Sequence, residues 1–272
     1  MVGKSNKQPY RGKRKRDFWN AMDPTDLLID LHLRQYRQGP GSDEATGLAL
    51  ALSGLETGRE LKIADIGCGT GASTLALAGA LDANITAIDL FPAFLDELQR
   101  RADAAGVADS ITCNAASMDD LKFDEGSLDV IWSEGAIYNI GFETGIRQWR
   151  RFLKPGGILA VSELTWLTET RPSELAEHWN REYPEVATAS EKMRQLEAAG
   201  YVPVGYFPLP KVCWLDHYYR PLQASFAGFL ERHSGHTLAQ EIIDAEEFEI
   251  ALYERHADYI SYGFYIERRF DD

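Results

Sequence analysis

At 272 residues, 44% of them hydrophobic, the chain has enough apolar material to bury the core of one large α/β domain. A formal net charge of −14, from 28 Lys and Arg against 42 Asp and Glu, repels a phosphate backbone and disfavours nucleic acid as a substrate. No apolar run reaches the roughly 20 residues of a membrane span, and the N-terminus lacks the apolar centre of a signal peptide.

Cys68, Cys113 and Cys213 lie too far apart for a disulfide framework or a zinc pattern, which predicts a reducing, cytoplasmic setting. Residues 1–16 carry seven basic groups and no acid, leaving 21 basic against 42 acidic groups in the rest. This basic stretch reads as a solvated, disordered tail, or else as an electrostatic arm toward an acidic partner. Residues 18–55 read as helices broken at 37–42, where Gly39-Pro40-Gly41 punctuates the chain and Ser42 with Asp43 can cap the second helix.

Beyond them, short apolar runs alternate with helical patterns. Strands are predicted at 61–66, 85–89, 111–114, 128–133 and 158–163, and helices at 72–81 and 92–105, the second opened by Pro92. Such alternation predicts a parallel sheet with right-handed crossovers and helices on both faces. Later segments read as helices at 171–183 and 189–199, a strand at 201–209, two helices within 214–256, and a last strand at 259–268. The organisation expected is a tail (1–16) and one domain (17–272). That domain comprises a helical cap (17–56), a cofactor-binding core (57–170), and acceptor-side helices with the last strands (171–272).

The strongest local signal is Asp65-Ile66-Gly67-Cys68-Gly69-Thr70-Gly71, a strand end, a glycine turn and a helix start. Glycines let the backbone approach a ligand closely, and the helix N-terminus offers free N–H groups. Asp89, 22 residues past Gly67, ends the second strand where a carboxylate can accept from both hydroxyls of a ribose. A dinucleotide fingerprint, Gly67-x-Gly69-x-x-Ala72, fits the same letters, so a nicotinamide-dependent oxidoreductase competes. Against it, Asp65 would repel a pyrophosphate but not a cationic aminoacyl sulfonium, and no Tyr-x-x-x-Lys pair occurs downstream.

Residues 65–71 resemble motif I of the class I S-adenosylmethionine-dependent methyltransferases, and Asp89 with Leu90 matches that family's second-strand acid and its neighbour. Ala116-Ser117-Met118-Asp119 resembles the segment along the adenine, with Ser117 where many members have Asp. Residues 128–135 resemble the fourth-strand motif, and Leu153-Lys154-Pro155-Gly156-Gly157 the turn before strand five. The loop 37–42 and residues 132–141 also resemble a bacterial subgroup of small-molecule methyltransferases.

The resemblance implies a Rossmann-like, doubly wound, mostly parallel seven-stranded α/β sheet. It implies an antiparallel last strand, a helical N-terminal cap and a helical insertion before that strand. It further implies S-adenosylmethionine as cofactor, held by Asp65, Gly67, Gly69, Asp89, Leu90, Ser117, Met118 and Glu134. The reaction implied is methyl transfer to O, N or C of a small molecule, with no metal; a non-catalytic cofactor-binding subunit is a third reading, and a homodimer is left open.

Glu134 and Tyr138 after strand four, and Glu163 with Trp166 after strand five, are expected on the rim beside the transferable methyl. Helical spacing groups Trp214, His217 and Tyr218 on one face, either as an acceptor lid or as the cap's own hydrophobic seam. Arg37 is read as reaching the cofactor carboxylate or as a surface salt bridge. His233-Ser-Gly-His236 is read as surface residues rather than a metal pair.

Overall fold

The computed structural model describes residues 23–55 and 58–271. The basic tail 1–16 and the predicted start of the cap at Phe18 lie outside the described residues. Two cap helices, α1 (Pro24–His32) and α2 (Asp43–Ser53), precede the sheet. Asp23 caps α1 by accepting from the Thr25 N–H, and Ser42 caps α2 by accepting from that of Ala45.

The core then runs through β1 (Leu61–Ile66), α3 (Ala72–Ala80), β2 (Ala83–Asp89), α4 (Pro92–Ala105), β3 (Ile111–Ala115), β4 (Leu128–Glu134), α5 (Phe142–Arg150) and β5 (Leu153–Trp166). The later part holds α6 (Ser173–Glu182), the two-residue β6 (Ala187–Thr188), α7 (Ala189–Ala198) and β7 (Tyr201–Pro208). A short α8 (Lys211–Trp214) passes through a π-helical turn, Leu215–Tyr219, into α9 (Arg220–Arg232). α10 (Thr237–His256) and β8 (Ile260–Arg269) complete the described chain.

The strands form one sheet in the order β3-β2-β1-β4-β5-β8-β7, parallel through β5, with β8 antiparallel to both β5 and β7. The seven-stranded path and its reversed last strand are as the sequence predicts; β6, paired with β5, is an eighth strand that it does not. Alternating side chains feed two cores. Ile63, Val130 and Ile158 face the helices α1–α4 and α8–α10, whereas Ala64, Ile131 and Leu159 face Trp149 on α5 and Leu196 on α7. Strand order reverses between β1 and β4, and in such sheets ligands bind outside the carboxyl ends of the strands at that point.

One boundary departs from expectation with consequences for the site. β5 starts at Leu153, absorbing residues 154–157 as an irregularity in its pairing with β4, and ends at Trp166 instead of 163. Glu163 and Trp166 therefore lie within the strand, opposite Gly263 and Ile260 of β8, and not on a rim beyond it. Pairing with β8 supplies backbone partners that prolong the strand. No described helix is long and apolar enough to cross a membrane.

Glu267 on β8 is wholly buried, and neither carboxyl oxygen has a hydrogen-bond partner. Burial pushes its pKa up to about 8 from an ordinary 4.5, with Glu197 adding to the effect. The folded protein keeps this proton up to about pH 8 and the unfolded chain only to about 4.5, so Glu267 costs stability progressively as pH rises between them. Glu267→Gln is expected to raise stability at pH 8 by about 1–3 kcal/mol and to flatten the fall above pH 5. Urea midpoints across pH 5–8 check this; an unaltered slope would refute it.

Candidate active site

A cavity of about 780 Å³ opens where the sheet order reverses, within the ~300–1,000 Å³ range usual for small-molecule sites. Its first end is built from the turns after β1, β2, β3 and β4, contributing Gly67, Asp89, Leu90, Ser117, Met118 and Ala136 to the wall. Gly67 has φ of +74°, and a Cβ there would lie 2.3 Å from Ala136 Cβ. Only glycine lets the turns after β1 and β4 meet this closely.

Asp89 stands across from that turn. Its Oδ2 accepts from the Gly69 N–H at 2.9 Å and its Oδ1 from the Phe91 N–H at 3.0 Å. A carboxylate has about four acceptor sites, so two remain for hydroxyls at the cavity wall. Burial raises its pKa, and the Phe91 and Gly69 backbone donors oppose that rise.

A side cleft of about 70 Å³ adjoins at Gly67 and Gly135, with Arg37, Ser73 and Glu134 in its wall. The Arg37 guanidinium donates to Glu134 Oε2 and to Asp43 Oδ1, each at 2.9 Å. Glu134 Oε1 accepts from the Thr46 hydroxyl at 2.7 Å and from the Trp132 indole at 2.9 Å. Arg37 is thus a buried link between the cap and β4, not a surface residue. Its pKa lies above the ordinary value: burial opposes the charge, and Glu134 and Asp43 more than offset it.

Asp65 is absent from the cavity lining. It is wholly buried, its Oδ2 accepting from Ser73 Oγ at 2.8 Å and Thr74 Oγ1 at 2.6 Å, while Oδ1 has no hydrogen-bond partner. Burial pushes its pKa up to about 7. Its visible work is to tie the end of β1 to the first turn of α3 and so to hold the glycine turn.

Of the four expected catalytic residues, Glu134 and Tyr138 reach the cleft or cavity wall, and Tyr138 keeps 41% of its surface exposed. The other two do not line it. Glu163 is buried behind the wall, accepting from the Leu164 N–H at 2.7 Å and lying 4.0 Å from the buried Lys192 ammonium. Burial raises the Glu163 pKa against the pull of Lys192, whose Nζ stands 4.2 Å over the Phe142 ring. His217 is exposed and does not line the cavity, although Trp214 and Tyr218 do. The π-helical turn widens the helix there, so the 3.6-residue spacing no longer puts His217 with its neighbours.

His233, expected at the surface, is buried beside Asp30 of α1, its Nε2 2.9 Å from the carboxylate, and no metal-holding group is found among the described residues.

Sequence reasoning missed Glu246 and Glu249 on α10 and His32 on α1, which line the far end of the cavity. Burial raises both glutamates, Glu246 to about 7, and lowers His32 to about 4. The detectable signal was acidic residues three apart on the otherwise apolar face of α10.

Residues 63–157 match the family described as a methyltransferase domain. The chain is 27% identical over 197 residues to the 27-O-demethylrifamycin SV methyltransferase of Amycolatopsis mediterranei, covering 70% of this chain and 69% of that protein. It is 28% identical over 147 residues to the O-methyltransferase resE of Aspergillus sclerotiorum, covering 52% of this chain and 56% of that one, so the match spans little more than half of that relative. Among solved structures, a SAM-dependent methyltransferase from Geobacter sulfurreducens in complex with S-adenosyl-L-homocysteine superposes with a TM-score of 0.78 at 21% identity. It covers 89% of this chain and 97% of that one. The [4+2]-cyclase SpnF superposes at 0.69 with 21% identity, covering 91% and 93%, so the fold by itself does not fix the reaction.

The Arg37–Glu134 link is open to a direct test. Glu134→Ala is expected to cost about 3–5 kcal/mol, toward the lower end because Asp43 still faces the guanidinium. Chemical denaturation measures this, and a loss below about 1 kcal/mol, the median for exposed pairs, would show the link to be incidental.

Proposed function

We propose that this chain is a class I S-adenosylmethionine-dependent methyltransferase that methylates a small molecule bound in the far half of the cavity, a reading that its matched domain and its strand order support. The observation that carries the reading is the continuity of the cavity. One end has the glycine turn and Asp89, and the other has aromatic and acidic side chains.

The residues present fit the donor. Asp89 has two acceptor sites left for the ribose hydroxyls, Leu90 and Met118 offer apolar surface to a base, and Ser117 a polar edge. Arg37 and Glu134, in the side cleft, offer opposite charges to a carboxylate and an ammonium. When bound, S-adenosylmethionine supplies a methyl group on a positively charged sulfur, already a good leaving group.

The protein's task is then to hold the acceptor in line with that methyl and to keep water out. Gly135 and Tyr138, directly after β4, line the cavity together with Leu164 and Tyr262. The buried carboxyl of Asp65 acts one layer back, by fixing the turn. Glu163 and Lys192 act likewise behind Tyr183, which the Lys192 ammonium approaches to 5.3 Å.

Titration calorimetry is expected to show binding of S-adenosylhomocysteine and none of NADH. Asp89→Ala should weaken the former by about 1–3 kcal/mol, roughly 5- to 150-fold. Binding of NADH in its place would transfer the assignment to an oxidoreductase.

A further inference from the structure

The cavity has aromatic walls: Tyr138 and Tyr183, whose ring centroids are 6.0 Å apart, together with Trp214, Tyr218 and Tyr262. Into this space α10 presents Glu246 and Glu249, three residues apart and so on one face of the helix. Glu249 Oε1 accepts from the Tyr219 hydroxyl at 2.9 Å. Glu246 makes no hydrogen bond; the nearest basic group is the His32 imidazole, Nε2 at 3.9 Å, which burial holds neutral at pH 7. Glu182 adds a third carboxylate at the mouth, paired with Arg181 at 2.9 Å.

Among the described residues lining the cavity there is no Lys or Arg. An anionic acceptor would meet carboxylates with nothing to balance them, and a neutral one would leave them desolvated and unpaired. A cation satisfies both the carboxylates and the ring faces.

We propose that the acceptor is a small aliphatic amine, bound as its ammonium ion by Glu246 and Glu249 among these rings, and that the reaction is N-methylation. This rests on the reading that the donor occupies the glycine-turn end.

The ammonium proton passes to the Glu246 carboxylate and from there to water. The freed nitrogen lone pair forms the new N–C bond as the methyl's C–S bond breaks and its electron pair stays on sulfur. The positive charge formerly on sulfur ends on nitrogen, so the methylated product leaves as a cation. Burial, which raises the proton affinity of Glu246, suits that carboxylate to take the proton.

Three probes of one shape test the charge preference: choline, its neutral carbon analogue 3,3-dimethylbutan-1-ol, and the anion 3,3-dimethylbutanoate. Each is titrated into the protein saturated with S-adenosylhomocysteine, with fluorescence of Trp179 and Trp214, both in the cavity wall, as readout. Choline is expected to bind about tenfold or more tightly than the alcohol, and the anion more weakly than either. In E246Q/E249Q the preference should vanish while S-adenosylhomocysteine affinity stays within about twofold, which also shows that the variant is folded.

Turnover, followed as S-adenosylhomocysteine release, is expected with aliphatic amines and not with matched alcohols or acids. Equal binding of alcohol and choline, a preference that survives in E246Q/E249Q, or turnover confined to alcohols or acids would overturn the proposal. Failure of the unmodified protein to bind S-adenosylhomocysteine would instead overturn the donor reading.

Discussion

The structure turns on one close approach. At the reversal of strand order the turn after β1 must pass the turn after β4, and Gly67 meets Ala136 at a distance that no side chain could share. Beside that contact the Gly69 N–H lies 2.9 Å from Asp89 of β2, and Gly135 lies at the junction of the cavity and its side cleft. Gly71, with φ of +88°, makes a comparable demand one step on, where a Cβ would lie 2.0 Å from Leu98 of α4. The glycine-turn end of the cavity, the proposed donor half, is thus a consequence of backbone packing, and its side chains only complete it.

The far end, the proposed acceptor half, is assembled differently. Its walls come from α1, the segment around α6, the α8–α9 junction, α10 and β8, elements far apart in the chain. They are held together by buried polar links: Asp30 to His233 joins α1 to the end of α9, Trp214 donates to Ser261 of β8, and Tyr219 to Glu249. Arg37 and Glu134 lock the cap to β4 in the same way. Such links cost stability when one partner is lost, and in return they fix which surfaces face the cavity.

That difference sets what the sequence could reveal. The glycine-turn end of the cavity was legible because the glycines at 67, 69 and 71 and the acid at 89 shape it locally, at strand ends that hydrophobic alternation already marks. The sheet path and its reversed last strand were legible for the same reason. His217 stands off the face shared by Trp214 and Tyr218 because a single π-helical turn shifts it, and Glu163 lies inside β5 because pairing with β8 carries that strand three residues further. Glu246 and Glu249 show within α10 only as acids three apart on an apolar face; that they meet Trp214 and Tyr218 depends on another helix, which local periodicity does not reach.

Charge ties the two halves together. Beyond residue 16 the chain carries 42 acidic groups against 21 basic ones, a field that favours positively charged ligands of either kind. A sulfonium and an ammonium in one cavity repel each other, and the proposed chemistry requires the ammonium to give up its proton. An ordinary carboxylate is a poor recipient: against an aliphatic amine of pKa about 10.4 the gap is roughly 6 units, or about 8 kcal/mol. With Glu246 raised to about 7, the gap falls to roughly 3–4 units, or about 5 kcal/mol. The nearby sulfonium would lower the ammonium's own pKa and narrow the gap again. In the proposed reaction, burial of α10's carboxylates would thus favour deprotonation, while the surrounding ring faces contribute to holding the cation.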